Sequence, residues 1–276
     1  MIETRHAVHP DAVRRFTTEE LRRHFLIESL FVPNTVSLTY SHLERMIVGG
    51  VMPVGESLVL PTPREVGTPS FLERRELGII NLGAAGRVTV AGMAHELAPL
   101  DCLYVGMGAG EVVFESVGAA AAKFYLVSTP AHQPHPTRKI TPETAKRLDL
   151  GSTETANVRT IRQYIIPGVC QSCQLVMGCT ALEAGSIWNT MPTHTHDRRS
   201  EAYVYFDLPD DARVVHLMGE PQETRHLVVA NEQAILSPPW SIHSGVGTKA
   251  YSFVWAMGGD NVDYTDMDAV AMSALR

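Results

Sequence analysis

The sequence predicts a mainly β protein built from two sandwich or barrel units, with a few short helices. Three observations carry that expectation. Short apolar runs of about four to eight residues, broken by Gly, Pro, Asn and Asp, recur from Phe31 onward, the pattern of sheets folded back on themselves. A polar, proline-bearing stretch at 131–160 divides these runs into two sets. The length, 276 residues, is close to that at which one hydrophobic core gives way to two.

Residues 1–30 form an N-terminal helical segment. Thr17 and Glu20 provide a capping box, and Phe16 and Leu21 are placed as a hydrophobic staple around it. Leu21 and Phe25 then share one helix face, with Leu26 and Leu30 on the adjoining one. His6 and His9 precede this helix and are expected at the surface.

The first β unit, 31–130, contains strands at Val36 to Tyr40, Arg45 to Val48, Leu77 to Asn81, Arg87 to Val90, Cys102 to Val105, Glu111 to Phe114 and Lys123 to Val127. The connector, 131–160, is expected to hold one short helix started by Thr141 with Pro142 at its first position. The second unit, 161–276, resumes at Arg162 to Ile166. It continues through Gln174 to Met177, Ser186 to Trp188, Ala202 to Phe206, Val214 to Met218, His226 to Val229, Gln233 to Leu236 and Ala250 to Ala256. A short closing helix is expected within Met267 to Arg276.

Composition narrows the function. A formal net charge of −7 argues against a general nucleic-acid binder, which needs a basic face to release counterions. It leaves room for a small anionic substrate held by one arginine. The N-terminal residues lack the apolar core of a secretory signal and no apolar run is long enough to span a bilayer, so a cytoplasmic location is expected. Cys102, Cys170, Cys173 and Cys179 suit a reduced compartment, with Cys170 and Cys173 taken as packing residues although they form a C-x-x-C pair.

The chemistry concentrates in Met191 to Tyr205, MPTHTHDRRSEAYVY. His194 and His196, two residues apart in an extended segment, face the same side. Glu201 follows after the polar Asp197 to Ser200 turn, and His243 lies further on. Three imidazoles and a carboxylate suit zinc, manganese, iron or nickel. A surface histidine cluster binding anions is the rival reading. The apolar Ala202 to Phe206 run, expected as a buried strand, speaks against it.

A weak internal repeat adds a test. Phe71 to Leu77 resembles Thr195 to Glu201 around an acid and an arginine pair. Aligning Glu73 with Asp197 puts Ser70 and Leu72 where the second unit has His194 and His196. The first unit is then a similar barrel without metal.

Ser237 to Gly245, ending a strand with Pro238 and His243, resembles the second metal motif of the cupin superfamily, and Gly185, His194, His196 and Glu201 resemble the first. Longer strings narrow this further. Tyr40 to Gly50, Phe71 to Gly78, Trp188 to Pro192, Gly219 to His226 and Trp240 to Thr248 look like the 5-keto-4-deoxyuronate isomerase family over nearly the whole chain. The resemblance implies two cupin-like barrels (double-stranded β-helix or jelly-roll), one zinc ion per subunit on His194, His196, Glu201 and His243, and a homohexamer. It implies ketol isomerisation of 5-dehydro-4-deoxy-D-glucuronate to 3-deoxy-D-glycero-2,5-hexodiulosonate in pectin and uronate breakdown.

Within that reading, Glu183 and Tyr203 are acid or base candidates, and proton transfer and hydride shift both stay open. Arg198, Arg199 and Arg225 are candidates for the substrate carboxylate, with Trp240 and Trp188 as pocket walls. His216 and His226 are expected to be structural. The alternatives are a cupin dioxygenase using a redox metal and a non-enzymatic sugar-acid binder.

Overall fold

The computed structural model describes residues 2–276; Met1, the first residue of the expected helical segment, lies outside them. The strands form two sets with the same plan. In the first, a seven-stranded sheet runs in the order Ile2–Arg5, Thr35–Ser41, Ile47–Met52, Phe124–Pro130, Arg75–Asn81, Cys102–Val105, Arg138–Ile140. It faces a four-stranded sheet of Leu58–Val59, Val112–Ser116, Gly86–Val90 and Met93–Leu97. In the second, the seven-stranded order is Lys146–Leu150, Arg159–Ile165, Val176–Leu182, Ser252–Gly259, Arg199–Phe206, Ala234–Ser237, Leu26–Ile27. Its four-stranded partner is Trp188–Asn189, Ser244–Gly247, Val214–Glu220 and Glu223–Val229. This is the jelly-roll architecture expected. Among the described residues no helix is long and apolar enough to cross a membrane.

Matching strand orders give the internal repeat a physical form. Arg75 and Arg199 each open the strand three places from the end of their large sheet, and both are buried. Where the second set has His196 and Glu201, the first has Leu72 and Leu77, both packed in an apolar core.

Period-two alternation divides the strand interiors between three cores. On the Arg199–Phe206 strand, Ala202, Val204 and Phe206 face a core shared with Val48, Ile80, Tyr125 and Val127 of the first set. Tyr203 and Tyr205 face the interior of their own barrel. The two large sheets therefore pack face to face. Gly78 lies against the second barrel: a Cβ there would lie 2.7 Å from Met177 Sδ and 2.9 Å from Leu175 Cδ2. We expect Gly78→Val to cost about 1–3 kcal/mol by overpacking, read as a lower urea midpoint with an unchanged slope.

The ends of the chain depart from the simple two-unit plan. The capping box forms as expected, with Thr17 N–H donating to Glu20 Oε2 at 2.7 Å and Glu20 N–H to Thr17 Oγ1 at 3.3 Å. The helix stops at Phe25, however, because Leu26 and Ile27 pair as a strand with Ile235 and Ala234. Leu26 thus extends the second barrel's sheet instead of continuing the helix. Leu21 and Phe25 enter that barrel's core. His9 caps a one-turn helix, Pro10–Val13, and Ile2–Arg5 adds a parallel strand to the first barrel that its four residues had not signalled.

The connector forms no helix at Thr141. Thr141 makes a single turn, accepting from Thr144 N–H at 3.0 Å and Ala145 N–H at 2.9 Å. On either side, Arg138–Ile140 joins the first barrel and Lys146–Leu150 the second. Ladder pairing wins here over local helix preference. The expected closing helix is likewise replaced by a two-residue strand, Asp268–Ala269, and a 3-10 turn at Met272–Ala274.

Candidate metal centre

Four elements of the second barrel bring the donor groups together. His194 lies in a two-residue strand paired with Asp268–Ala269, and His196 follows just beyond it. Glu201 points inward from the Arg199–Phe206 strand, and His243 precedes Ser244–Gly247. His194 Nε2 lies 3.1 Å from His196 Nε2 and 3.0 Å from His243 Nε2. Glu201 Oε2 lies 3.1 Å from His196 Nε2 and 3.0 Å from His243 Nε2. All four donor atoms fall within 4.8 Å of one another.

The outer nitrogens tell what the inner ones can do. His196 Nδ1 is 2.9 Å from the Asp266 carbonyl, and that oxygen can only accept, so Nδ1 carries the proton. Nε2 is then left with a bare lone pair, 3.1 Å from His194 Nε2 and 3.1 Å from Glu201 Oε2. Burial, with His243 and His196 behind it, pulls the His194 pKa down to about 2, so this ring is neutral at physiological pH. Burial works to raise Glu201, but His243 and His196 outweigh it and hold the carboxyl well below its usual range. Three imidazole nitrogens and a carboxylate oxygen converging at these distances set lone pairs against one another unless a proton or a cation lies between them. The donor set therefore fits a metal ion, and the carbonyl behind His196 is the supporting contact such ligands ordinarily have.

Arg199 builds that support. It is fully buried, donating to the Asp263 and Asp266 carbonyls at 2.6 Å each, and thereby holds the Asn261 to Asp268 segment against the ligands. Its neighbour Arg198 is exposed and ion-paired with Asp266 and Asp268. A cavity of about 350 Å³ opens onto His194, His196 and Glu201, within the size range of small-molecule sites. Tyr203, Trp255, Tyr264 and Arg159 also line it.

The other sequence candidates fall into place by position. Tyr203 reaches the cavity, its ring edge-on to His243 at 5.6 Å, and burial followed by the Glu201 charge raises its hydroxyl well above the usual tyrosine range. Glu183 does not reach it; the side chain is exposed in the turn after Val176–Leu182. Arg225 is paired with Glu223, and Trp240 packs edge-on against Phe25 at 6.4 Å; neither lines the cavity. Trp188 is also outside it, and the tryptophan of the wall is Trp255. His216 is wholly buried, 2.7 Å from the Tyr205 hydroxyl, with its pKa lowered to about 3 by burial and then by His243, whereas His226 is exposed. Sequence reasoning passed over Arg159 and Tyr264, since neither stands near a recognisable motif.

Two jelly-roll barrels, one of them lined by three imidazoles and a carboxylate, define a two-barrel cupin. More narrowly, the chain belongs to the KduI/IolB family, whose model matches residues 35–272. It is 58% identical over 273 residues to the 4-deoxy-L-threo-5-hexosulose-uronate ketol-isomerase 2 of Rhizobium meliloti (strain 1021), covering 99% of this chain and 96% of that one. Among solved structures, an IolB-like protein from Salmonella typhimurium LT2 matches with a TM-score of 0.66 and 16% identity, over 82% of this chain and 86% of its own. The oxalate decarboxylase of Bacillus subtilis, a protein with Mn(II) centres, matches with a TM-score of 0.54 and 9% identity, over 79% and 70%. Likeness at that identity speaks for the fold alone.

Proposed function

We propose that this chain is a metal-dependent ketol isomerase acting on 5-dehydro-4-deoxy-D-glucuronate. The product is 3-deoxy-D-glycero-2,5-hexodiulosonate: the C1 aldehyde becomes a primary alcohol and the C2 hydroxyl becomes a carbonyl. The observation that carries the proposal is the meeting of His194, His196, His243 and Glu201, the first, second and last of which line a cavity of about 350 Å³. It occurs in a chain more than half identical to a uronate ketol-isomerase.

His194, His196, Glu201 and His243 hold the ion in this reading, and zinc is our assignment because the reaction needs no change of redox state. The ion supplies Lewis-acid polarisation of the substrate's carbonyl and adjacent hydroxyl. The remaining tasks fall to the chain itself. Glu201 stays ionised and balances charge in the cluster. Tyr203 keeps its proton and offers a hydrogen-bond donor inside the cavity, and of the two acid or base candidates it is the one placed to reach the substrate, since the exposed Glu183 does not line the cavity. Trp255, Phe253 and Met257 form an apolar wall that limits water at the reacting carbons. The first barrel, with Ser70, Leu72 and Leu77 at the places of His194, His196 and Glu201, acts as scaffold. We take the protein to be cytoplasmic and homohexameric.

Proton NMR of the enzyme with this uronate in deuterated water tests the reading. Conversion should stop on chelation and return with zinc, and deuterium on the new primary alcohol carbon of the product, which was C1 of the substrate, would indicate proton transfer through a side chain. Its absence would favour a hydride shift. Oxygen uptake in place of isomerisation would assign the site to dioxygen chemistry.

A further inference from the structure

The arginines read from the sequence as carboxylate binders are all committed elsewhere. Arg198 is neutralised by Asp266 and Asp268, Arg225 by Glu223, and Arg199 is engaged with two backbone carbonyls. A uronate in the cavity would need a different cation, and one stands in the wall.

Arg159 opens the Arg159–Ile165 strand, between Leu150 and Leu182 of its neighbours. Its guanidinium makes one hydrogen bond, from Nη1 to the Asn157 carbonyl at 2.9 Å. Among the described residues no carboxylate lies within ion-pair distance of it. It is partly buried, and it lines the same cavity as His194, His196 and Glu201. No Lys and no other Arg lines that cavity. A guanidinium carries five N–H donors in a planar fork, so Nε and Nη2 remain as a free edge suited to a carboxylate. A partly buried cation without a counter-charge is costly, and burial already pushes the Arg159 pKa down. An incoming anion removes that cost, whereas an uncharged sugar does not.

We propose that Arg159 is the anion anchor of the cavity, pairing with the substrate's carboxylate and so turning its carbonyl end toward the His194, His196, Glu201 and His243 cluster. The assignment rests on the isomerase reading for the identity of the anion. It also accounts for selectivity: a neutral aldose of similar size leaves the guanidinium unpaired and binds without a fixed orientation.

The test compares wild type, Arg159→Gln and Arg159→Lys, each with its metal content and melting temperature measured, on the uronate and on its methyl ester. On the uronate, Arg159→Gln is expected to lose about 10²-fold or more in kcat/KM, chiefly through KM, since bonds to charged groups are the strong ones. On the ester it should change less than about threefold, the scale of a single weak contact. Arg159→Lys should recover part of the loss, keeping the charge but not the fork, and it carries the test should the glutamine variant fold poorly. Equal losses on acid and ester, or no loss on either, would overturn the proposal and leave Arg159 as a prop for the Asn157 carbonyl. The two readings fail separately. Should wild type not turn over the uronate, the isomerase reading falls, and quenching of tryptophan fluorescence by the same uronate, present in wild type and absent in Arg159→Gln, still decides for or against the anchor.

Discussion

His196→Ala is expected to lose its metal ion and at least about 10³-fold in turnover while keeping its fold, because Lewis-acid polarisation supplies several kcal/mol at the transition state. The substitution removes one of four donors and also the link through which Asp266 and Arg199 brace the cluster. The fold should survive because the shared core and the first barrel's core contain no residue of the site. Elemental analysis, far-ultraviolet circular dichroism and turnover, measured on one preparation, check this. Full turnover in a metal-free variant would sink the metal-dependent mechanism. Loss of the circular dichroism signal would instead mean that the donors are needed for folding. Arg198→Ala is the control: it lies two residues away but is exposed, and of its carboxylate partners Asp268 is solvated while Asp266 keeps the hydrogen bond from Asn261.

The unequal legibility of this chain in its sequence has physical causes. Gly86–Val90 announces itself because alternating burial writes a period of two into its residues, and Cys102–Val105 because burial on both faces leaves a short continuous apolar run. The metal donors are legible because most of them come from one continuous segment, Met191 to Tyr205. Leu26–Ile27 and Asp268–Ala269 are too short to carry any period, and their conformation comes from partners distant in the chain. Arg159 was invisible for a related reason. What marks it out is a missing counter-charge within a cavity, and a sequence records an arginine without recording whether a carboxylate stands beside it. Conversely, the Arg198-Arg199 pair drew attention by adjacency to the ligands. Arg198 stands in the turn and Arg199 opens the strand, so one side chain goes to solvent and the other to the interior.

Glu76 carries the other large expected effect, on stability and not on chemistry. Its carboxylate is wholly buried between the two barrels. One oxygen accepts from Gln174 N–H at 2.8 Å, Leu175 N–H at 2.9 Å and Thr129 Oγ1 at 3.0 Å. The other accepts from Cys173 N–H at 2.7 Å and the Tyr104 hydroxyl at 2.7 Å. Every one of these groups is a donor, and the three backbone amides belong to the segment that leads into Val176–Leu182 of the other barrel. Glu76→Gln is nearly isosteric, yet it turns an acceptor into an amide that must point its own hydrogens at donors. At least two buried donors then go unpaired, at about 1–3 kcal/mol each. We expect a loss of about 3–5 kcal/mol, a large share of the 5–15 kcal/mol by which domains are ordinarily stable. At fixed protein concentration this should lower Tm by roughly 6–15 °C, with kcat at 25 °C close to wild type. Thr129→Ala removes a single donor and leaves the carboxylate with four, so its effect should be several-fold smaller. Equal destabilisation by the two variants would mean that packing, not the convergence of donors on Glu76, holds the barrels in register.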